Sequence, residues 1–221
     1  MNIHVNLPLV PFLLLVSSSI CPVAASASKT GLSLALNIRV YNLANVPSTT
    51  LSSAQQVATT IYRAAAIDTT WQVCPCSTEL GPNDLMLRIV PKLFASMRAD
   101  FRDNNLGFAA VGPDGGVLAT IFYHRVEALT RGGDSSKVLG HAIAHEIGHL
   151  LLGSKAHTET GIMRAYWSRD YLKLADRGLL LFTQQQVDLM HSRFMVKASQ
   201  LNSISPDSCR ISVASANPMR V

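Results

Sequence analysis

Charge is scarce in this chain: Asp, Glu, Lys and Arg together make up 15% of its 221 residues, well below the usual share of a soluble domain. The net charge of +5 is scattered, and no Lys/Arg cluster interleaves with aromatic residues. That pattern argues against a nucleic-acid partner and reads as an ordinary solvated surface. No internal repeat, low-complexity tract or long linker interrupts the chain from Ser28 onward. Apolar residues reach 48%, which excludes a disordered composition and suffices for the core of one globular domain. Long apolar runs are missing too. The N-terminal stretch Leu7–Val16 is short, and Pro8, Pro11 and Pro22 disfavour a stable membrane span.

That stretch lacks Lys or Arg ahead of it but precedes Ala25-Ser26-Ala27, a small-x-small cleavage pattern. The expectation is a signal peptide over residues 1–27 and a single domain over 28–221, secreted or periplasmic. Cysteine is also sparse: Cys74, Cys76 and Cys209 remain after cleavage, so at most one internal disulfide forms. One residue between Cys74 and Cys76 is a tight spacing for a mutual bridge. The expected link runs from either of them to Cys209, as an oxidising compartment permits.

Leu34, Leu36, Ile38 and Val40 alternate with polar or small residues, the period of a half-buried strand. Ser53 and Gln56 suggest a capping box ahead of Val57, Ile61, Ala64 and Ala65 at helical spacing. Further strands are expected around Trp71–Val73 and Leu85–Ile89, the second ended by Pro91. Leu106–Val111 and Val117–Val126 flank a glycine-rich turn and read as a hairpin. Ser135 or Ser136 opens a helix that runs to Leu152 and stops at Gly153, and a last helix opens at Thr183 with Gln186 completing its capping box. The fold class expected is α+β, a small mixed sheet packed on one central helix with a C-terminal helix.

Within the central helix stands His145-Glu146-Ile147-Gly148-His149. A separation of four residues puts both imidazoles on one helix face, where they can share a metal ion. A carboxylate beside the first ligand can take a proton from metal-activated water attacking a carbonyl and pass it to the leaving amine. The flanking Ala142, Ile143, Ile147, Leu150, Leu151 and Leu152 are apolar, so the polar triplet is buried and needs partners. Catalytic Zn²⁺ takes three protein ligands and keeps one place open. His157 is the leading third candidate, because Gly153 can end the helix and turn the chain back. Glu159, Asp170 and Asp188 stay open as carboxylate alternatives.

The run HEIGHLLLGSKAHTETGIM resembles the active-site segment of zincin metallopeptidases, and most of all the metzincin clan, which pairs HExxHxxGxxH with a downstream methionine turn. The resemblance implies His145, His149 and His157 as zinc ligands, Glu146 as general base and Met163 as the turn residue beneath the metal. Here Gly153 and His157 follow His145 by eight and twelve residues, where the family pattern has seven and ten. Arg164, Tyr166 and Tyr171 come next, as candidates to donate to a developing oxyanion or to brace the ligands. His141, one turn before His145, is expected to act behind the ligands or at the surface. The strand Val117–Tyr123 is nominated as the sheet edge lining the cleft.

The implied function is a secreted zinc metalloendopeptidase acting on a peptide or protein substrate. Two alternatives belong to other classes: a zinc-binding module that recognises peptides without cleaving them, and a metallohydrolase of a non-peptide amide or ester. A binding module has no chemical need for Glu146; a substrate panel separates the two hydrolases.

Overall fold

The alternation at the start of the domain produces β1 (Leu34–Asn42), whose Leu34, Leu36, Ile38 and Val40 are buried while the residues between them face outward. The computed structural model describes residues 34–76, 79–81, 83–92, 105–112, 115–131 and 133–203, all within the unit Leu32–Val221. The expected signal segment, the tip of the glycine-rich turn at 113–114 and Cys209 lie outside the described residues.

After β1, helix α1 (Ser48–Ala64) leads to β2 (Ile67–Val73), and β3 (Asp84–Val90) follows. Next come β4 (Gly107–Gly112), β5 (Gly115–Phe122) and α2 (Tyr123–Thr130). The chain closes with α3 (Ser136–Leu152), α4 (Arg169–Asp176) and α5 (Gln184–Ser203). The sheet order is β2-β1-β3-β5-β4. The first four of these strands run parallel, and β4 pairs antiparallel with β5. Register aligns Ile38 with Leu85 and Leu87 with Ala119, so one face of the sheet is a continuous apolar layer under α1 and α3. This is the α+β class expected: a small mixed sheet on a central helix, with a C-terminal helix. Among the described residues no helix is long and apolar enough to cross a membrane.

Four local expectations are corrected. Helix α1 begins at Ser48 after Pro47, ahead of the Ser53–Gln56 box. The Asn42 side chain closes the preceding turn onto both the amide and the carbonyl of Val46, and the longer helix buries Leu51. The chain leaves the sheet at Phe122, and Tyr123–Val126 are helical. The β3 partner runs out at Val90, and the Pro91 carbonyl accepts the His124 amide instead of continuing a ladder. The short helix α4 falls in a stretch given no element from sequence. Cys74 is bonded to Cys76 with Cα atoms 4.7 Å apart, within the ordinary disulfide range, so Pro75 bends the chain enough for the near pairing. Neither cysteine therefore pairs with Cys209.

Candidate metal centre

Helix α3 is buried on all sides; every residue except Lys137 and Leu151 is buried. A helix apolar all round belongs in the middle of a domain. Polar groups inside it therefore need partners, and the partners found here define the site. The Tyr62 hydroxyl donates to the Ala144 carbonyl at 2.9 Å, tying α1 to the turn just before His145. Burial holds that phenol well above its usual pKa, so it remains a donor.

His145 and His149 project from the same face of α3, their rings 4.9 Å apart between centroids. His145 Nδ1 lies 2.8 Å from the Ile162 carbonyl, and His149 Nδ1 lies 3.2 Å from the Gly153 carbonyl. Carbonyl oxygens accept, so each Nδ1 carries the proton and each Nε2 keeps its lone pair. Those Nε2 atoms face one another at 3.2 Å. Gly153 ends α3 with φ 93°, a conformation that favours glycine, and the chain turns back through Ser154-Lys155-Ala156. The turn delivers His157, whose Nε2 sits 3.0 Å from His149 Nε2.

The donor set fits Zn²⁺. Nitrogens bound about 2.0–2.1 Å from a tetrahedral zinc stand roughly 3.3 Å apart, close to the separations on either side of His149. Three lone pairs aimed at one point repel unless a cation lies among them. Ligand atoms of the three histidines all fall within 4.8 Å of one another. Burial and the neighbouring imidazole of His149 hold His145 down to about 3, and burial lowers His149 and His157 as well. The rings are therefore neutral at pH 7, the form that binds metal. Glu146, 7% exposed, has its carboxyl pushed up to about 8 by burial. A cation among the imidazoles acts in the opposite direction and favours the carboxylate.

Met163 is fully buried beneath the helix. A Cβ added at Gly148 would lie 2.7 Å from Met163 Sδ, so the thioether occupies space that glycine leaves open. The turn carrying Met163 closes with the Arg164 amide donating to the Gly161 carbonyl at 3.3 Å. Its Ile162 amide hangs from the Leu181 carbonyl at 2.8 Å, and its Ile162 carbonyl holds His145. The turn carrying Met163 thus fixes the tautomer of one candidate ligand and packs against α3 at Gly148.

These groups open into a cleft of about 550 Å³, lined among others by Gly107, Ala109, Ala142, Glu146, Leu129 and Trp167. Tyr166, 55% exposed, and Arg164 also line it. The Arg164 guanidinium stacks 4.7 Å from the Tyr171 ring centroid, and Tyr171 donates to the Gly161 carbonyl at 3.4 Å. Tyr171 thus serves the turn, and the cleft wall here belongs to its neighbours. Glu159, Asp170 and Asp188 stand outside the histidine group. Asp170 accepts from Lys173 at 2.8 Å and Asp188 from Gln184 at 2.8 Å. His141 is 3% exposed and donates from Nδ1 to the Lys137 carbonyl at 2.8 Å.

The cleft edge differs from the nominated one. β5, the strand containing Val117–Phe122, is paired on both sides, with β3 and with β4. Among the described residues no strand pairs with the far side of β4, which is the edge that borders the cleft. The Phe122 amide donates to Leu106, so by antiparallel alternation Gly107 and Ala109 direct their amides and carbonyls outward. Trp167 was not singled out from sequence. Its ring stands edge-on to His145, 5.6 Å between centroids, and to His141 at 6.4 Å. Its only sequence signal was proximity to the methionine turn.

Fold and site together define an α+β domain with a three-histidine centre built on one helix and the turn below it. The sequence matches no protein-family model and no curated protein. Similar solved structures include a zinc-dependent peptidase from Methanocorpusculum labreanum, 16% identical, TM-score 0.48, covering 69% of this chain and 99% of that one. Archaemetzincin from Methanopyrus kandleri is 14% identical with TM-score 0.47, covering 72% and 96%. Metalloproteinase-II from Bacteroides fragilis is 14% identical with TM-score 0.45, covering 73% and 53%.

Proposed function

We propose that the chain is an exported zinc metallopeptidase of metzincin type, residues 28–221 forming the catalytic domain after loss of the signal at 1–27. The observation that carries this reading is the convergence of the Nε2 atoms of His145, His149 and His157 in a cleft that the buried Glu146 also lines. His145, His149 and His157 hold the metal. Zinc bound there supplies Lewis acidity, lowering the pKa of water and polarising a carbonyl. Glu146 accepts the proton of the attacking water and delivers it to the leaving amine, so the carboxylate ends as it began. Arg164 or Tyr166, which both line the same cleft, donates to the oxyanion. An extended peptide adds to the outward amides and carbonyls of Gly107 and Ala109, which gives main-chain recognition.

The test is metal content and casein cleavage by the purified protein, with and without chelator, alongside Glu146→Gln. The expected result is zinc in both proteins and cleavage in the unmodified one, abolished by chelator and lowered about 10²–10⁴-fold in the variant. Undiminished cleavage by a zinc-loaded Glu146→Gln protein would remove the mechanism.

A further inference from the structure

The three candidate ligands are not held alike. His145 and His149 stand on a buried helix, and each Nδ1 is fixed by a carbonyl. His157 stands on the loop beyond Gly153 and is exposed. Its placement depends on whatever holds Ala156 and Thr158, the residues on either side of it.

Both are reached by the same side chain, Gln186 of α5, which is 6% exposed. Gln186 Oε1 accepts the Thr183 amide at 2.9 Å, and the Gln186 amide reaches Thr183 Oγ1 at 3.4 Å, a reciprocal cap on α5. With the oxygen so engaged, the amide nitrogen faces the other way. Gln186 Nε2 donates to Thr158 Oγ1 at 3.1 Å and to the Ala156 carbonyl at 3.4 Å. The Thr158 hydroxyl donates a hydrogen bond to the Thr160 carbonyl at 2.8 Å, and the Thr158 backbone amide donates to the Met163 carbonyl at 3.1 Å. One primary amide thereby spans the start of α5, the loop bearing His157 and, through Thr158, the methionine turn.

The cap alone does not call for glutamine. A capping box needs an acceptor at this position, and glutamate supplies one equally well. The two donated bonds do need the NH₂ group, and a carboxylate in its place would face the Ala156 carbonyl oxygen. We propose that Gln186 is a positioning residue that fixes His157 for metal binding, a role separate from its cap. This rests on His157 being a zinc ligand.

Gln186→Glu separates the two roles, because it keeps the acceptor and removes the donors. In the full-length metal-free protein, exchange of the Thr158 backbone amide should speed at least about tenfold while the α5 amides keep their rates. In the zinc-loaded protein, release of metal to excess chelator should accelerate about 10–100-fold, the usual effect of losing a group that orients a ligand. Thr158→Val leaves the cap untouched and should move both readouts the same way, so a Gln186→Glu protein that fails to fold does not remove the test. Unchanged Thr158 exchange, or unchanged zinc release, in a folded variant overturns the proposal. If the unmodified protein takes up no zinc, the metal reading itself has failed; the exchange measurement then decides alone whether Gln186 fastens the loop.

Discussion

At His157 two chemistries compete for the third ligand position, an imidazole on a short loop and the carboxylates further along. The geometry favours the imidazole, 3.0 Å from His149 Nε2, while Glu159 contributes a carbonyl to Arg164 and its residue is exposed. His157→Ala should therefore weaken zinc binding strongly, and Glu159→Gln should leave it nearly unchanged. Competition against a chromophoric chelator measures both; the reverse ranking would assign the metal a carboxylate ligand. The helical pair and Glu146 could be read from sequence because their relation is local, one turn of one helix. The departure in spacing to His157 could be counted but not interpreted, since how far α3 runs before Gly153 decides where the loop lands. Trp167 and the second role of Gln186 were beyond reach, because each arises from elements brought together by tertiary packing.

At the scale of elements, β4 is the piece whose exposure matters. Its inward bonds come from Phe108 and its outward groups from Gly107 and Ala109, so a proline at 109 removes an outward donor without breaking the ladder. Ala109→Pro should raise KM for peptides severalfold or more with the fold and zinc content intact, read by steady-state kinetics and metal analysis. Unaltered KM would mean that substrate does not add to this edge. The hairpin itself was legible from its flanking apolar runs and glycine-rich turn. Which of its strands faces the cleft was not, because periodicity says nothing about what lies beyond a strand's other side. The same limit hid α2: Tyr123 and Val126 are buried and apolar in either conformation, and the end of β3 at Val90 decides between them.

For the molecule as a whole, one contribution to acid stability comes from the sheet face away from α3. There Asp84, 8% exposed, accepts the Gly81 amide at 2.9 Å, the Asn37 side-chain amide at 3.1 Å and the Arg39 guanidinium. The Gly81 amide foremost, then Asn37 and Arg39, holds its carboxyl below the usual range against the opposing effect of burial. A depressed folded pKa contributes stability that is complete above the ordinary carboxylate range and is lost as pH falls through the lower folded value. Asp84→Asn should unfold about 1–3 kcal/mol more easily at pH 7. It should also lose less stability than the unmodified protein between pH 4 and the acid limit. Denaturant titrations across that range check both; equal acid slopes would assign the acid response to other carboxyls.

The turn that holds His145 has a consequence for how such a chain is made. The carbonyl that orients His145 belongs to Ile162, and Ile162 is in turn suspended from Leu181. A ribosome releases the His145-Glu146 segment well before either. The nascent chain therefore carries the segment from His145 to His149 while the His145 imidazole is still unoriented, and Gln186, which sets His157, emerges later still. On the proposed reading as a peptidase, the three-histidine centre is complete only once α5 has docked, so the polypeptide is past its half-made stage before it can cut.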